Sequence, residues 1–332
     1  MSYKIIFGFF LAAIISLSGC AKPYIYPSPA EVIKPSLTPN SALMSDGFSL
    51  PLSIWHAEDK PHAIVLALHG LNDYRQAFKS TGEFLASRGI SVYAYDQRGF
   101  GETEGANYWH GSSRLISDLQ TMLALLRQAY PDQQIYIMGE SMGGAVTLAA
   151  QSTTDLNVDG LILIAPAVWS RENMPWYQRL LLWSAVHTLP GKQLTGEGLD
   201  IKPTDNIEML RAWARDPLVI KATRVDVLYG VTNLMDLAAA RAHQIQSDAL
   251  LLYGEHDDII PREPTCQLVK AITSQSGIKA NTIIYDKGYH MLTRDLHAEL
   301  VLQDIAGWIL SQRNLKVAHQ SYCSAIAAQT ES

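Results

Sequence analysis

Six short runs of almost unbroken apolar residues punctuate the chain: Ala63–Leu68, Ile90–Tyr95, Ile135–Met138, Leu161–Ala165, Ala249–Tyr253 and Thr282–Tyr285. Each is too short and too uniformly apolar for an amphipathic helix, so each predicts a strand buried on both faces of a parallel sheet. Between them the spacing turns helical. Tyr74–Ser87 and Ser113–Tyr130 carry that pattern, the second with Leu115, Leu119, Met122 and Leu126 on one face and Pro131 beyond its end. Ahead of them, Ser41–Ala57 alternates through Leu50, Leu52 and Ile54 around an Asp46-Gly47 turn, which predicts an antiparallel hairpin. Strand alternating with helix argues for a mostly parallel, doubly wound α/β sheet.

One gap breaks the alternation. About 80 residues separate the run ending near Pro166 from the run starting at Ala249, and they read as a mostly helical insertion at about 168–247. It is rich in large apolar groups, densest in Pro175-Trp176-Tyr177-Gln178-Arg179-Leu180-Leu181-Leu182-Trp183, with Trp213 and Leu234-Met235 further on. Inserted after the sixth predicted strand, it is expected to arch over the carboxyl ends of the strands as a cap. Most of its aromatics should pack the cap onto the sheet, and some should line an apolar pocket.

Composition places the 332 residues among ordinary globular proteins, 48% hydrophobic and 17% charged. The formal charge of -6 comes without any basic cluster interleaved with aromatics, which argues against nucleic acid as a partner. The N-terminus stands apart. Lys4 precedes an apolar run from Ile5 to Leu17, too short to span a bilayer, that ends in Leu17-Ser18-Gly19-Cys20. This ending resembles the lipobox of bacterial lipoproteins, which implies cleavage after residue 19, a lipid on Cys20 and residence in the cell envelope. Ala21 rather than aspartate follows the cysteine, which points to the outer membrane, facing the periplasm. Residues 20–39, with Pro23, Pro27, Pro29, Pro35 and Pro39, are then expected to form an extended tether, followed by a folded domain at 40–312 and a tail at 313–332. An oxidising compartment would permit a bridge between Cys266 and Cys323, although spacing alone does not bring their Cα atoms within reach.

The chemistry centres on Gly139-Glu140-Ser141-Met142-Gly143, where an apolar strand stops at a serine between glycines and a small-residue helix, Gly144 to Ala150, begins. Gly-x-Ser-x-Gly in a strand-turn-helix setting exposes a serine on a strained turn, and any Cβ two positions to either side would strike the crossing backbone. Ser141 is the candidate nucleophile. A serine hydroxyl needs a base held in the right tautomer by an acid, and both should follow in the order serine, acid, histidine. The acid is expected in the Gly254–Pro261 loop at Asp257, with its neighbour Asp258 as the alternative, and the base at His290 after the last strand. His256 and His297 read as surface groups. Two N–H donors should face the developing oxyanion: Met142 at the helix start and Leu71 in the loop after Leu68, with His69 supporting that loop through its side chain. No metal-ligand spacing or cofactor motif stands out, and triad chemistry calls for neither.

Taken together, His69-Gly70-Leu71, Tyr95-Asp96-Gln97-Arg98-Gly99-Phe100-Gly101, the serine motif, Gly254-Glu255-His256-Asp257-Asp258 and Gly288-Tyr289-His290 resemble the α/β-hydrolase superfamily. The nearest likeness is to its monoacylglycerol lipase, lysophospholipase and serine-aminopeptidase-like branch, and Thr204-Asp205-Asn206 and Arg215-Asp216-Pro217-Leu218 extend it into the cap. One departure is Thr103, where relatives usually carry serine. The resemblance implies a serine hydrolase that cleaves esters of lipid-like substrates through an acyl-enzyme. A peptidase would need acids such as Glu172, Glu197 or Asp200 to hold an amine, a short-chain esterase would use the same triad, and a non-catalytic envelope protein would need no triad at all. Relatives with dehalogenase or epoxide-hydrolase chemistry place aspartate where Ser141 stands.

Overall fold

The computed structural model describes residues 21–28, 32–151, 156–311 and 322–323. The chain opens with β1 (Ser36–Leu37), then the expected hairpin of β2 (Ser41–Leu43) and β3 (Ser49–Trp55). The six apolar runs follow as β4 (Ala63–Leu68), β5 (Ile90–Tyr95), β6 (Gln134–Glu140) and β7 (Gly160–Ile164) and, past the insertion, β10 (Ala249–Gly254) and β11 (Ala280–Tyr285). A short pair, β8 (Gln193–Thr195) and β9 (Ala222–Arg224), lies inside the insertion. Because β1 precedes the predicted hairpin, the insertion follows the seventh strand among the described residues rather than the sixth.

The main sheet runs β1-β2-β3-β5-β4-β6-β7-β10-β11. It is antiparallel as far as the β3–β5 pair and parallel from there on. Since β5 and β6 flank β4 on opposite sides, the strand order reverses there, and the crevice beyond the carboxyl ends of β4 and β6 is where such sheets bind ligands. Alternate residues serve the two faces. Ile64, Leu66 and Leu68 of β4 join Leu119 and Met122 of α2 (Ser112–Ala129) and Val146 of α3 (Met142–Ala150). Val65 and Ala67 join Leu85 of α1 (Lys79–Ala86) and, from the last helix, Val301 and Ile305.

The insertion divides in two. It begins with α4 (Trp176–Thr188) and α5 (Ile207–Arg215), which protrude, and closes with α6 (Val225–Arg241), whose Val227, Val231, Leu234 and Ala238 belong to the main core. Gly230 lets α6 meet Trp109, since a Cβ there would lie 2.4 Å from the indole nitrogen. The α4 aromatics depart from expectation. Trp176 is 68% exposed, Leu181 65% and Trp183 54%, because the helix is apolar on several sides and buries only Val186 fully. Among the described residues, α7 (Arg262–Thr273) and α8 (Ala298–Ile309) follow the insertion.

The described part of the proline-rich segment lies against the domain. Tyr24 and Tyr26 pack on Tyr108 with ring centroids 5.5 and 5.8 Å apart, and Tyr26 also stacks on His110 and donates its hydroxyl to Glu104. Backbone bonds continue the contact: Tyr26 N–H to the Trp109 carbonyl, Ile33 N–H to that of Ser45, and Ala21 N–H to that of His187 at the end of α4. Ring contacts and these backbone hydrogen bonds hold the segment against the domain. The predicted leader and Cys20 lie outside the described residues. At the other end, Cys266 of α7 and Cys323 are bridged with Cα atoms 5.6 Å apart, and Arg262 lies over the Tyr322 ring.

Buried charge also builds the platform. Arg98, after β5, is 2% exposed and forks onto Asp118 of α2 at 2.7 Å and Asp46 of the hairpin turn at 2.7 and 2.9 Å.

Candidate active site

Ser141 sits where β6 becomes α3. Its backbone holds φ 51° and ψ -112°, a left-handed conformation that side-chain-bearing residues seldom adopt. The flanking glycines make the turn possible, since a Cβ on Gly143 would stand 2.1 Å from the Leu68 carbonyl oxygen and one on Gly139 within 2.7 Å of the Gly143 backbone. The Ser141 N–H donates to the Ile164 carbonyl, pinning the turn to the end of β7. Met142 opens α3, so its N–H belongs to the first turn, which finds no carbonyl partner within the helix, and it lies at the positive end of the helix dipole.

The loops after β10 and β11 touch because glycines permit it. A Cβ on Gly254 would lie 2.3 Å from the Gly288 carbonyl carbon, and the His256 N–H donates to the Gly288 carbonyl. This contact brings His290 Nδ1 to 2.8 Å from Asp257 Oδ2, with both side chains at most 6% exposed. The other Asp257 oxygen accepts the N–H groups of Ile259 and Ile260. Loaded with donors on both oxygens, Asp257 is an acceptor toward His290, so Nδ1 carries the proton and Nε2 presents a lone pair. Burial favours the uncharged ring, but the Asp257 carboxylate outweighs it and raises the His290 pKa above the ordinary histidine value. Asp258, the alternative acid, turns instead to the backbone N–H of Lys202. His256 and His297 are exposed, as expected, and His256 stacks on Tyr289.

The loop after β4 closes the other side. A Cβ built on Gly70 would contact the Ser141 Cβ at 3.4 Å, so this loop lies directly against the serine. His69 is fully buried and its pKa is lowered by that burial. Its Nε2 accepts the Gln97 N–H at 2.9 Å, which leaves Nδ1 as the donor to the Gly70 carbonyl at 2.8 Å. A trans peptide sends the Leu71 N–H the opposite way from that carbonyl, so His69 fixes the direction of the Leu71 donor. The support role expected of His69 has this physical content. Thr103 fills the turn role of a serine, accepting from Gly99 and Phe100 N–H and donating to the Phe100 carbonyl.

Three charged residues at the site escaped the sequence reading. Arg294 donates to Asp73 at 2.7 Å and to Glu140 at 2.6 Å, and Glu140 immediately precedes Ser141. Thr293 also donates to Glu140, and the Trp213 indole of α5 donates to Asp73 at 3.2 Å. Burial opposes the Arg294 charge, but the two carboxylates outweigh it and raise its pKa. A glutamate at the end of an apolar strand was the available signal, because a buried carboxylate demands a partner. The cap motifs tie down the same loops: Asn206 donates to the Arg294 carbonyl, the Leu296 N–H donates to Asp205, and the Tyr74 hydroxyl donates to Asp216 at 2.6 Å.

A doubly wound sheet with a serine on a strained elbow at its switch point defines the α/β-hydrolase fold, and the solved structures agree. A monoacylglycerol lipase from Paleococcus ferrophilus superposes with TM-score 0.65 at 22% identity, covering 80% of this chain and all but 1% of its own. A soluble variant of monoglyceride lipase from Saccharomyces cerevisiae, solved in complex with a substrate analogue, gives 0.67 at 16% identity over 89% of this chain and 99% of its own. More narrowly, the chain belongs to the family described as serine aminopeptidase, S33, whose pattern matches residues 59–297. Among curated relatives, the monoacylglycerol lipase of Mycolicibacterium smegmatis is 24% identical over 277 residues, 80% of this chain and 94% of its own. Caffeoylshikimate esterase of Arabidopsis thaliana is 25% identical over 292 residues, 82% of this chain and 83% of its own. The chain is thus a hydrolase of the branch that holds lipases and esterases.

Proposed function

We propose that this protein is a membrane-held serine hydrolase that cleaves monoacylglycerols, lysophospholipids or similar lipid esters through an acyl-enzyme. The observation that carries the reading is the buried His290–Asp257 pair, held at the same end of the sheet as Ser141 on its strained turn. In the proposed reaction His290 Nε2 takes the Ser141 proton as Oγ attacks the ester carbonyl. The N–H groups of Leu71 and Met142 hold the tetrahedral oxyanion, and His290 then protonates the departing alcohol. Water, activated by the same imidazole, releases the fatty acid and restores Ser141.

Lipid substrates are favoured by the names of the relatives and by the cap. Trp176, Leu180, Leu181 and Trp183 present an apolar helix to solvent, a surface suited to a bilayer. The docked N-terminal segment supports the same orientation, since Ala21 bonds to the end of that helix and Cys20, the proposed lipid site, is the preceding residue. The Cys266–Cys323 bridge suits an oxidising envelope compartment, with the outer membrane facing the periplasm as the proposed site. For a peptidase, an acid must hold the substrate amine, and Glu172, Glu197 and Asp200 are all exposed.

The test is acyl release by residues 21–332 from monoacylglycerols of several chain lengths, a lysophospholipid, a short soluble ester and an aminoacyl amide. Ester turnover that is lost in Ser141→Ala supports the proposal, with long acyl chains preferred. Turnover of the amide alone would make the protein a peptidase, and a folded wild type as inactive as Ser141→Ala on every substrate would point to binding without catalysis.

A further inference from the structure

We infer that Arg294 is a positioning residue that sets the nucleophile loop, the oxyanion loop and the histidine loop in register with one another; the inference rests on the serine-hydrolase reading above. These loops leave three different strands, β6, β4 and β11, and their catalytic residues lie at or beyond the last rungs of the ladder that aligns those strands. Their relative placement therefore needs a cross-link beyond the strand ladder. The Arg294 guanidinium supplies it from the position four residues beyond His290. One terminal nitrogen meets Asp73, two residues beyond Leu71, and the other meets Glu140, the neighbour of Ser141.

The geometry calls for arginine in particular. A planar fork has two terminal nitrogens fixed at one spacing and can hold two carboxylates apart at a set distance, whereas an ammonium is a single point. With its side chain only 10% exposed and both terminal nitrogens engaged by protein, Arg294 is not placed as a subsite for a substrate anion. The network reaches the cap as well, because Asp73 also accepts the Trp213 indole N–H of α5. The charged groups acting on His290 are Asp257 from the acid loop, Glu140 from the elbow and Arg294 from its own loop, so a displaced guanidinium is felt at the imidazole.

Arg294→Lys and the paired variant Glu140→Gln with Arg294→Gln test this, the pair serving if the single change unfolds the protein. Both are measured for kcat and KM on a soluble ester, for thermal unfolding, and for the His290 Nδ1–H proton resonance. Because a misplacement of about 1 Å can cost on the order of 100-fold in rate, kcat should fall about 10- to 100-fold in Arg294→Lys, with KM within about threefold and the protein folded. The Nδ1–H resonance should shift or broaden. Unchanged kcat in a folded Arg294→Lys overturns the inference, as does a rise in KM alone, which would make the arginine a substrate contact. If the wild type shows no Ser141-dependent turnover, the functional reading fails by itself; a His290 resonance that stays unchanged in both variants then overturns the positioning role too.

Discussion

Two buried arginines, Arg98 and Arg294, are built alike and placed differently. Each forks between two carboxylates, and the side chains are 2% and 10% exposed. Arg98 joins Asp46 of a hairpin turn to Asp118 in the middle of α2, neither of them on a loop that bears a proposed catalytic group. Arg294 joins Asp73 and Glu140, each within two residues of one. A buried ion pair contributes little net stability over a well-packed apolar substitute, yet breaking one leaves an uncompensated charge. The same device therefore serves two ends: Arg98 fixes which elements pack together, and Arg294 fixes how loops that are already packed face one another.

The comparison is sharpest against a variant that removes chemistry without touching either arginine. In Asp257→Asn the amide oxygen can still accept from Ile259 and Ile260, but the His290 tautomer is no longer enforced, and kcat should fall about 10⁴-fold with little loss of stability. The pH profile follows from the same pair. His290 must be neutral to act as base, so activity falls as pH drops through its pKa; because Asp257 raises that pKa, the acid limb of kcat/KM should lie above the ordinary value of about 6.5 and move downward in Asp257→Asn.

Next in size is Arg98→Met. It strands Asp46 and Asp118, so urea unfolding should show a loss of about 3–5 kcal/mol, while kcat per folded molecule stays within about twofold. An equal loss of kcat in the folded protein would erase the distinction between the two arginines. Smallest is a change on the cap surface. Replacing Leu181 and Trp176 by serine should alter stability by no more than about 0.5 kcal/mol per site, since both side chains are exposed. Turnover of lysophospholipid in vesicles should fall while turnover of a soluble ester stays constant; equal effects on both substrates would remove the membrane role of that face.

The pattern of legibility follows the range of the interactions. Five of the six core strands could be read from the sequence because burial on both faces leaves a near-unbroken apolar run, the edge strand β11 from its shorter apolar end, and the turn at Ser141 because glycines on either side of a serine have a local steric cause. Asp257 and Asp258 were harder to separate, since neighbours in a loop share every local property and only the position of His290 distinguishes them. Docking of Tyr24 and Tyr26 was invisible because their partners, Tyr108 and His110, lie more than eighty residues away. The same holds for Arg294, whose carboxylate partners are 221 and 154 residues distant along the chain. Exposure of α4 was misread for the opposite reason: apolar residues at helical spacing ordinarily mean core, and here they face solvent.

The central claim is that Ser141 carries an acyl group during turnover, and trapping that group tests it most directly. The protein would be mixed with a long-chain monoacylglycerol or its activated ester, quenched in acid within the first turnovers, digested and analysed by mass spectrometry. The account predicts one acyl group per chain on the peptide containing Ser141, a larger fraction trapped when deacylation is slowed in His290→Gln with the activated ester, and none in Ser141→Ala. Ester hydrolysis that persists in Ser141→Ala, or an acyl group found on another residue, would contradict it.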